Sequence, residues 1–509
     1  MSSIIAAKLI VLSSFGMNKQ LKFLLGPLIA VLIAYFFFRS GESLLLSKTA
    51  GVLVLMAYWW ITESVNIFVT SLLPVILFPL LGIMGIEQVA PQYMKDVMFL
   101  YIGGFVLTYA IERWDLHKRI SLNILLKAGT SPTRILFGFS IATYFISMWL
   151  NNTSTTLMML PVALAIVHQL HGGNLDKRSG LSTALLLAIA FASSIGGTAS
   201  LVGTLPNMVM KKFYDENFPD AQPLDFANWM FVALPISFIL LMCMFYILKK
   251  IFLKNSDHIV PDMNYCRTEV MKLGRMGYEE KVITIVFSTA VVLWLTLDDK
   301  QFGGFTFSGW KTYLLKWNVI PDGKFINESY VAVFMAAILL FYPSKNKKGT
   351  NLVTWKEMKH LPIGILFLFG GGFALSEGVK ISGLNNWLGE HLLFIANYPL
   401  WAMILVICLL TTLFSEFASN TATVILFLTI MTPVIQQSSL PPLLITFPLA
   451  LAASFSFMLP AGTPPNTIVF GSEKIKARDM MRAGIYLDII GALVITVGIL
   501  TLGRWVFGI

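Results

Sequence analysis

Charge is scarce in this chain. Of its 509 residues only 13% are Asp, Glu, Lys or Arg, against roughly 25% in soluble domains, while 56% are hydrophobic and the mean hydropathy is +0.74. That shortage excludes a soluble globular domain. Cysteine is scarcer still. Cys243, Cys266 and Cys408 have no metal-type spacing and two of them lie in apolar stretches, which argues against a disulfide scaffold and a cysteine-held metal. The chain also lacks His-Glu-x-x-His, paired membrane aspartates and a glycine-rich nucleotide loop, so nothing supplies the parts an intramembrane enzyme needs. Its formal charge is +10, yet no loop concentrates basic residues beside stacking aromatics, which argues against a nucleic-acid partner.

Long apolar runs are what it has instead. A hydrocarbon core about 30 Å thick needs about 20 apolar residues per spanning helix. Runs such as Phe231–Leu248 and Leu487–Leu502 are apolar on both parities, unlike the alternating strands of a membrane barrel. Windows centred near residues 30, 54, 75, 104, 190, 240, 289, 336, 369, 456 and 494 predict eleven transmembrane helices. Residues 135–171 and 399–437 each hold two apolar legs joined by a polar knot, Asn151-Asn152-Thr153 and Ser419-Asn420-Thr421. Legs of about 16 to 18 residues reach about 25 Å at 1.5 Å per residue, short for a crossing, and read as re-entrant helical hairpins. The expected fold is an all-α polytopic membrane protein in the lipid bilayer.

Basic residues set its orientation. With the N-terminus cytoplasmic, segments 1–22, 112–134, 172–180, 249–281, 344–360 and 472–483 face inward and carry 26 of the 37 Lys and Arg. The first 20 residues lack a signal-peptide h-region and read as a cytoplasmic leader, and eleven spans leave the C-terminus outside.

The two hairpins are copies. Ser147-Met-Trp-Leu-Asn151-Asn152-Thr153-Ser-Thr155 matches Ser415-Glu-Phe-Ala-Ser419-Asn420-Thr421-Ala-Thr423, and Pro161 and Pro433 follow at the same offset. A second pair of copies lies downstream, Gly203-Thr204-Leu205-Pro206-Asn207 and Gly462-Thr463-Pro464-Pro465-Asn466. The charge count opens the first hairpin from the inside and the second from the outside, so the halves form an inverted repeat. Inverted repeats with broken helices are the architecture of secondary transporters. Gly and Pro inside an apolar span free backbone groups that hydrocarbon cannot satisfy. Helix N-termini opening after Asn152 and Asn420 favour a carboxylate, and freed carbonyls with Ser and Asn oxygens suit a small hard cation. No Lys or Arg lies in 135–176, 179–210 or 381–473. A dianion there has no fixed countercharge, and a bound Na+ at each tip would offset its desolvation.

These residues resemble the divalent-anion/sodium symporter family, and within it the dicarboxylate carriers. The most specific stretch is Ser454-Phe-Ser-Phe457-Met-Leu-Pro460-Ala-Gly-Thr463-Pro464-Pro465-Asn466-Thr-Ile-Val469; Trp59-Trp60-Ile-Thr-Glu63 and Phe369-Gly370-Gly371-Gly372 are similar but weaker. The resemblance implies a homodimeric elevator. Its scaffold comprises residues 1–130 and 256–398, and its transport part residues 131–255 and 399–509. It also implies one cation site at Ser147, Asn151, Asn152 and Gly203, and another at Ser415, Ser419, Asn420 and Gly462. The substrate would meet Asn152, Thr153, Thr204, Asn420, Thr421, Thr463 and Pro464. Two positions depart from the family pattern: Asn151 stands where Ser is usual, and Leu205 stands where the second copy has Pro464.

The expected function is Na+-coupled symport of C4-dicarboxylates, with no organic cofactor. Alternatives are Na+-independent exchange, a citrate or sulfate carrier and, more remotely, an anion channel. Glu416 and Glu63 read as carboxylates bonded to nearby backbone or scaffold rather than proton relays, His168 and His171 as interfacial, and Asp298-Asp299 and Glu112-Arg113 as boundary charges.

Overall fold

The computed structural model describes residues 18–170, 179–253, 264–302, 305–346, 349–438 and 440–508. His171 and most of the leader and of segment 172–180 lie outside them.

The described chain is helical almost throughout. Among the described residues, seven helices are long and apolar enough to cross a membrane unaided: Lys19–Arg39, Leu44–Thr62, Ile86–Arg113, Gly180–Thr198, Phe226–Phe252, Gly364–Ile381 and Ala477–Phe507. The other four expected spans are shorter, interrupted or charged. The window near 75 divides into Ile67–Thr70 and Leu73–Leu81, with Pro74 opening the second piece. Tyr278–Leu295 carries Glu279 and Glu280 in its first turn, and Glu328–Phe341 has 14 residues. The window near 456 is Leu443–Ala453, a break, and Pro464–Phe470. One feature departs from the all-α expectation: Lys300–Phe302 pairs antiparallel with Phe305–Phe307 in a small hairpin.

Both expected re-entrant segments are helix pairs. Pro132–Ser147 and Asn152–Leu170 have 16 and 19 residues; Leu400–Ser415 and Asn420–Gln437 have 16 and 18. Local chemistry sets their limits. Ser131 accepts from the Arg134 N–H at 3.3 Å ahead of Pro132 at the first position, the preferred place for proline because its missing N–H has no helical acceptor there. At the first turn-round, Asn151 Oδ1 accepts from the Ser154 N–H at 2.8 Å and restarts the helix.

The hairpins open toward opposite ends of the molecule. The first opens beside Leu116–Ala128, where Lys118 pairs with Glu269 at 2.6 Å and Arg119 with Glu280 at 2.9 Å. The second opens where Gln436 donates to the Asn217 carbonyl at 3.1 Å and Gln437 to that of Asn386 at 3.2 Å. Near Asn217, Lys95 meets Glu216 and Lys212 meets Asp96, both at 2.6 Å. Segments assigned to one side by charge therefore meet at one end.

The broken helices fill the centre. Every residue of Leu181–Thr198 and of Leu443–Ala453 is buried, as apolar composition on all faces requires. Each repeat reaches into the other. Leu205–Asn217 packs on Asn420–Gln437 and Leu443–Ala453, while Pro464–Phe470 packs on Asn152–Leu170 and Gly180–Thr198. To one side, Asp96–Arg113 runs along Glu328–Phe341 so closely that a methyl on Gly103 would lie 2.7 Å from the Ala332 carbonyl.

Candidate functional site

The two turn-rounds are built alike, atom by atom. Ser147 Oγ lies 2.9 Å from Asn152 Oδ1 and 2.7 Å from the Ser193 carbonyl; Ser415 Oγ lies 2.8 Å from Asn420 Oδ1 and 2.5 Å from the Ala453 carbonyl. One hydroxyl proton faces two acceptors in each case, so both hairpins present a serine oxygen and an amide oxygen side by side.

The breaks complete the set. Asn207 Nδ2 donates to the carbonyls of Gly197 and Ser200 at 3.1 and 2.8 Å; Asn466 Nδ2 donates to those of Ser456 and Leu459, both at 3.0 Å. The offsets, ten and seven residues back, are identical in the two repeats. These clamps replace helical partners for carbonyls that the break frees. Both side chains are fully buried, and among the described residues Asn207 Oδ1 and Asn466 Oδ1 have no donor. The repeated pentads end on both asparagines, which the sequence alone assigns no role. Their place at the end of the repeat was the available signal.

Glycine defines the space these oxygens surround. A methyl on Gly203 would lie 2.5 Å from the Gly197 carbonyl oxygen and 2.8 Å from that of Met148, and one on Gly197 would lie 2.2 Å from Asn152 Oδ1. At the second tip a methyl on Gly462 would meet Glu416 Oε2 at 2.8 Å and the Leu459 carbonyl at 3.3 Å, while Ser456 Oγ lies 3.5 Å from Asn420 Oδ1. Ser147, Asn152 and Gly203 thus come together, as do Ser415, Asn420 and Gly462, each group oxygen-rich and without a basic side chain. Such oxygen sets suit a hard cation.

The remaining candidates are placed as follows. Asn151 is exposed and engaged locally, its Oδ1 by the Ser154 N–H and its Nδ2 by Ser154 Oγ at 3.1 Å; Ser419 makes no side-chain cap. Thr153 is half-buried and Thr421 buried, both in the first turn of the returning helices. Thr463 Oγ1 accepts from the Asn466 N–H at 3.2 Å, whereas Thr204 makes no cap with its side chain. Pro464 opens its helix and is exposed. Helices start at the two tips and the two breaks; those opening at Asn152, Asn420 and Leu205 offer first-turn N–H groups to an anion, whereas Pro464 and Pro465 carry none and the Asn466 N–H is taken by Thr463 Oγ1.

The repeats differ beside the serines. Met148 follows Ser147, but Glu416 follows Ser415; it is fully buried and accepts from the Met458 and Leu459 N–H groups at 2.7 and 2.8 Å. It is bonded to backbone, as expected. Asp488, also buried, accepts from the Phe457 N–H at 3.3 Å. Glu63 is exposed in the left-handed region at φ 46°, and Asp299 holds the Gly309 N–H and Thr312 hydroxyl at 2.8 and 2.6 Å.

Comparison with known proteins adds to this geometry. Residues 19–509 match the family profile described as the sodium:sulfate symporter transmembrane region. The sodium-dependent dicarboxylate transporter SdcS of Staphylococcus saprophyticus is 37% identical, covering 97% of this chain and 93% of its own length; SdcS of Staphylococcus aureus is 35% identical, covering 94% and 90%. Among solved structures, the Alcanivorax borkumensis YdaH transporter superposes with a TM-score of 0.54 at 13% identity, over 83% of this chain and 88% of that one, a likeness of fold alone. By profile and relatives, the chain belongs to the divalent-anion/sodium symporter family.

Proposed function

We propose that the protein moves C4-dicarboxylates of the succinate, malate and fumarate class across the membrane together with Na+. The observation that carries this reading is the doubled tip: two oxygen-rich groups, each fronted by glycine, beside the helix N-termini opening at Asn152 and Asn420, in stretches 135–176, 179–210 and 381–473 that hold no Lys or Arg. A dianion held only by dipoles is expensive to desolvate, and cations beside it offset that penalty. The names of the relatives, sodium-dependent dicarboxylate transporters, support the same reading.

Ser147, Asn152 and Gly203 hold one Na+, with Asn151 capping the returning helix beside it, and Ser415, Ser419, Asn420 and Gly462 hold another, with the clamped carbonyls of Gly197 and Ser456 beside them. The carboxylates lie between the tips against Asn152, Thr153, Thr204, Asn420, Thr421, Thr463 and Pro464. Residues 131–255 and 399–509 move as one transport body against a scaffold of residues 1–130 and 256–398, in a homodimer with cytoplasmic N-termini. Uptake of labelled succinate into proteoliposomes tests the proposal. A Na+ gradient is expected to stimulate it over choline, and unlabelled malate to compete. Equal uptake in Na+ and choline driven by internal dicarboxylate would make the protein an exchanger, and binding of sulfate without any dicarboxylate would overturn the substrate.

A further inference from the structure

We infer that ion pairs at one end of the molecule form a latch between the two bodies, closed in the conformation seen here and released when the transport body moves. The inference rests on the two-body reading above. Leu205–Asn217 belongs to the transport body, packed between the second hairpin and the second broken helix. Its last turns carry Lys211, Lys212, Asp215 and Glu216, and three of these reach the scaffold. Lys95 Nζ contacts both Glu216 carboxylate oxygens at 2.6 Å; Lys212 Nζ lies 2.6 Å from Asp96 Oδ1; Lys211 Nζ lies 3.8 Å from Glu328 Oε2.

The signs are crossed. Adjacent scaffold residues of opposite charge, Lys95 and Asp96, face opposite charges one turn apart on the moving helix, so the pairs specify a register and not only an attraction. Their surroundings hold them in place. Asn327 Nδ2 donates to Asp96 Oδ2 at 2.9 Å, Lys95 Nζ lies 4.9 Å from the Phe373 ring centroid, and the Lys211 and Glu328 side chains are 13% and 8% exposed. Lys300 pairs with Asp225 at the same end. The ion pairs at the opposite end, Arg113–Glu357, Lys118–Glu269 and Arg119–Glu280, stay within the scaffold. That asymmetry makes the latch favour one conformation: sliding the transport body separates the first set and leaves the second intact.

A disulfide reporter reads the latch without substrate. A methyl on Gly104, in the scaffold helix, would lie 4.0 Å from Val202 Cγ1 in the first break. Gly104→Cys with Val202→Cys, in a chain whose Cys243, Cys266 and Cys408 are replaced by alanine, therefore cross-links in the conformation seen. Asp96→Lys and Lys212→Asp are expected each to slow cross-linking about threefold or more, within the range of partly exposed ion pairs acting on a two-state balance. The double swap Asp96→Lys with Lys212→Asp is expected to restore the rate, and Lys272→Gln, which loosens a pair inside one helix, to leave it unchanged. Single reversals without effect, a double swap no faster than the singles, or an equal slowing in Lys272→Gln would overturn the latch. Succinate uptake is measured in parallel. Cross-linking that follows the charge swap while uptake fails would keep the latch and remove the transport reading.

Discussion

Asn152 and Asn420 each lie beside a serine oxygen and open a helix, so their amides can serve a cation with the oxygen and an anion with the nitrogen. Truncating either removes a bond to a charged group, about 1.5–3 kcal/mol, or roughly 10- to 150-fold in affinity. Asn420→Ala is thus expected to weaken both the succinate and the Na+ dependence of uptake by at least tenfold. Wild-type curves for both ligands would remove Asn420 from the site. Asn151 differs in kind, because its oxygen caps the returning helix. Serine is an equally good cap, and Asn151→Ser is expected to shift the Na+ curve under about threefold; a shift matching that of Asn152→Ala would make Asn151 a direct ligand. At Gly203 the structure is least forgiving, since an added methyl would fall on two carbonyl oxygens at 2.5 and 2.8 Å. Gly203→Ala is expected to abolish Na+ stimulation in a protein that still runs as one species on size exclusion, with Gly85→Ala, in open space, as the control. Most tip residues were legible because they repeat. The Asn207 and Asn466 clamps were not, because their carbonyl partners lie seven and ten residues back, across a break whose course no periodicity reports.

Helices and breaks were legible to different degrees. The hairpins showed in the sequence because a polar triplet divides two apolar legs too short to cross. Tyr278–Leu295 and Glu328–Phe341 showed as apolar windows, but their buried terminal glutamates did not read as part of the packing. Ladder pairing in Lys300–Phe307 was hidden because a search for long apolar windows passes over three-residue strands, although Gly303-Gly304 between them is a hairpin signal. In Asn264–Leu273, Glu269 bonds Lys118 at 2.6 Å and Lys272 at 2.8 Å. Those bonds hold its carboxyl below the usual glutamate range, Lys118 contributing most. A lowered carboxylate stabilises the folded state above the ordinary glutamate value and loses that contribution as pH falls through its own. Protection of 264–273, with exchange rates corrected for the intrinsic slowing of amide exchange in acid, is therefore expected to fall on acidification below the ordinary glutamate value, and Glu269→Gln to remove that acid response. An unchanged response in Glu269→Gln would detach it from this carboxylate.

For the molecule as a whole, counting Lys and Arg by segment grouped the loops that the structure brings to common ends, because charges stay out of hydrocarbon and pair where segments emerge. Which end faces the cytoplasm is a matter for labelling. Lys324→Cys, in the loop assigned outside, is expected to react with a membrane-impermeant maleimide from the outer face of right-side-out vesicles; labelling only in inverted vesicles would reverse the orientation. The packing of each repeat's short helix on the other repeat also has a consequence for synthesis. Asn152–Leu170 leaves the ribosome roughly 300 residues before Pro464–Phe470, which at about 5–20 residues per second is a delay of about 15–60 s. Throughout that interval the first polar turn-round has no counterpart to cover it. The nascent chain must wait with that tip in water at the bilayer surface or in the care of the insertion machinery, and the first half seats only when the last hundred residues arrive.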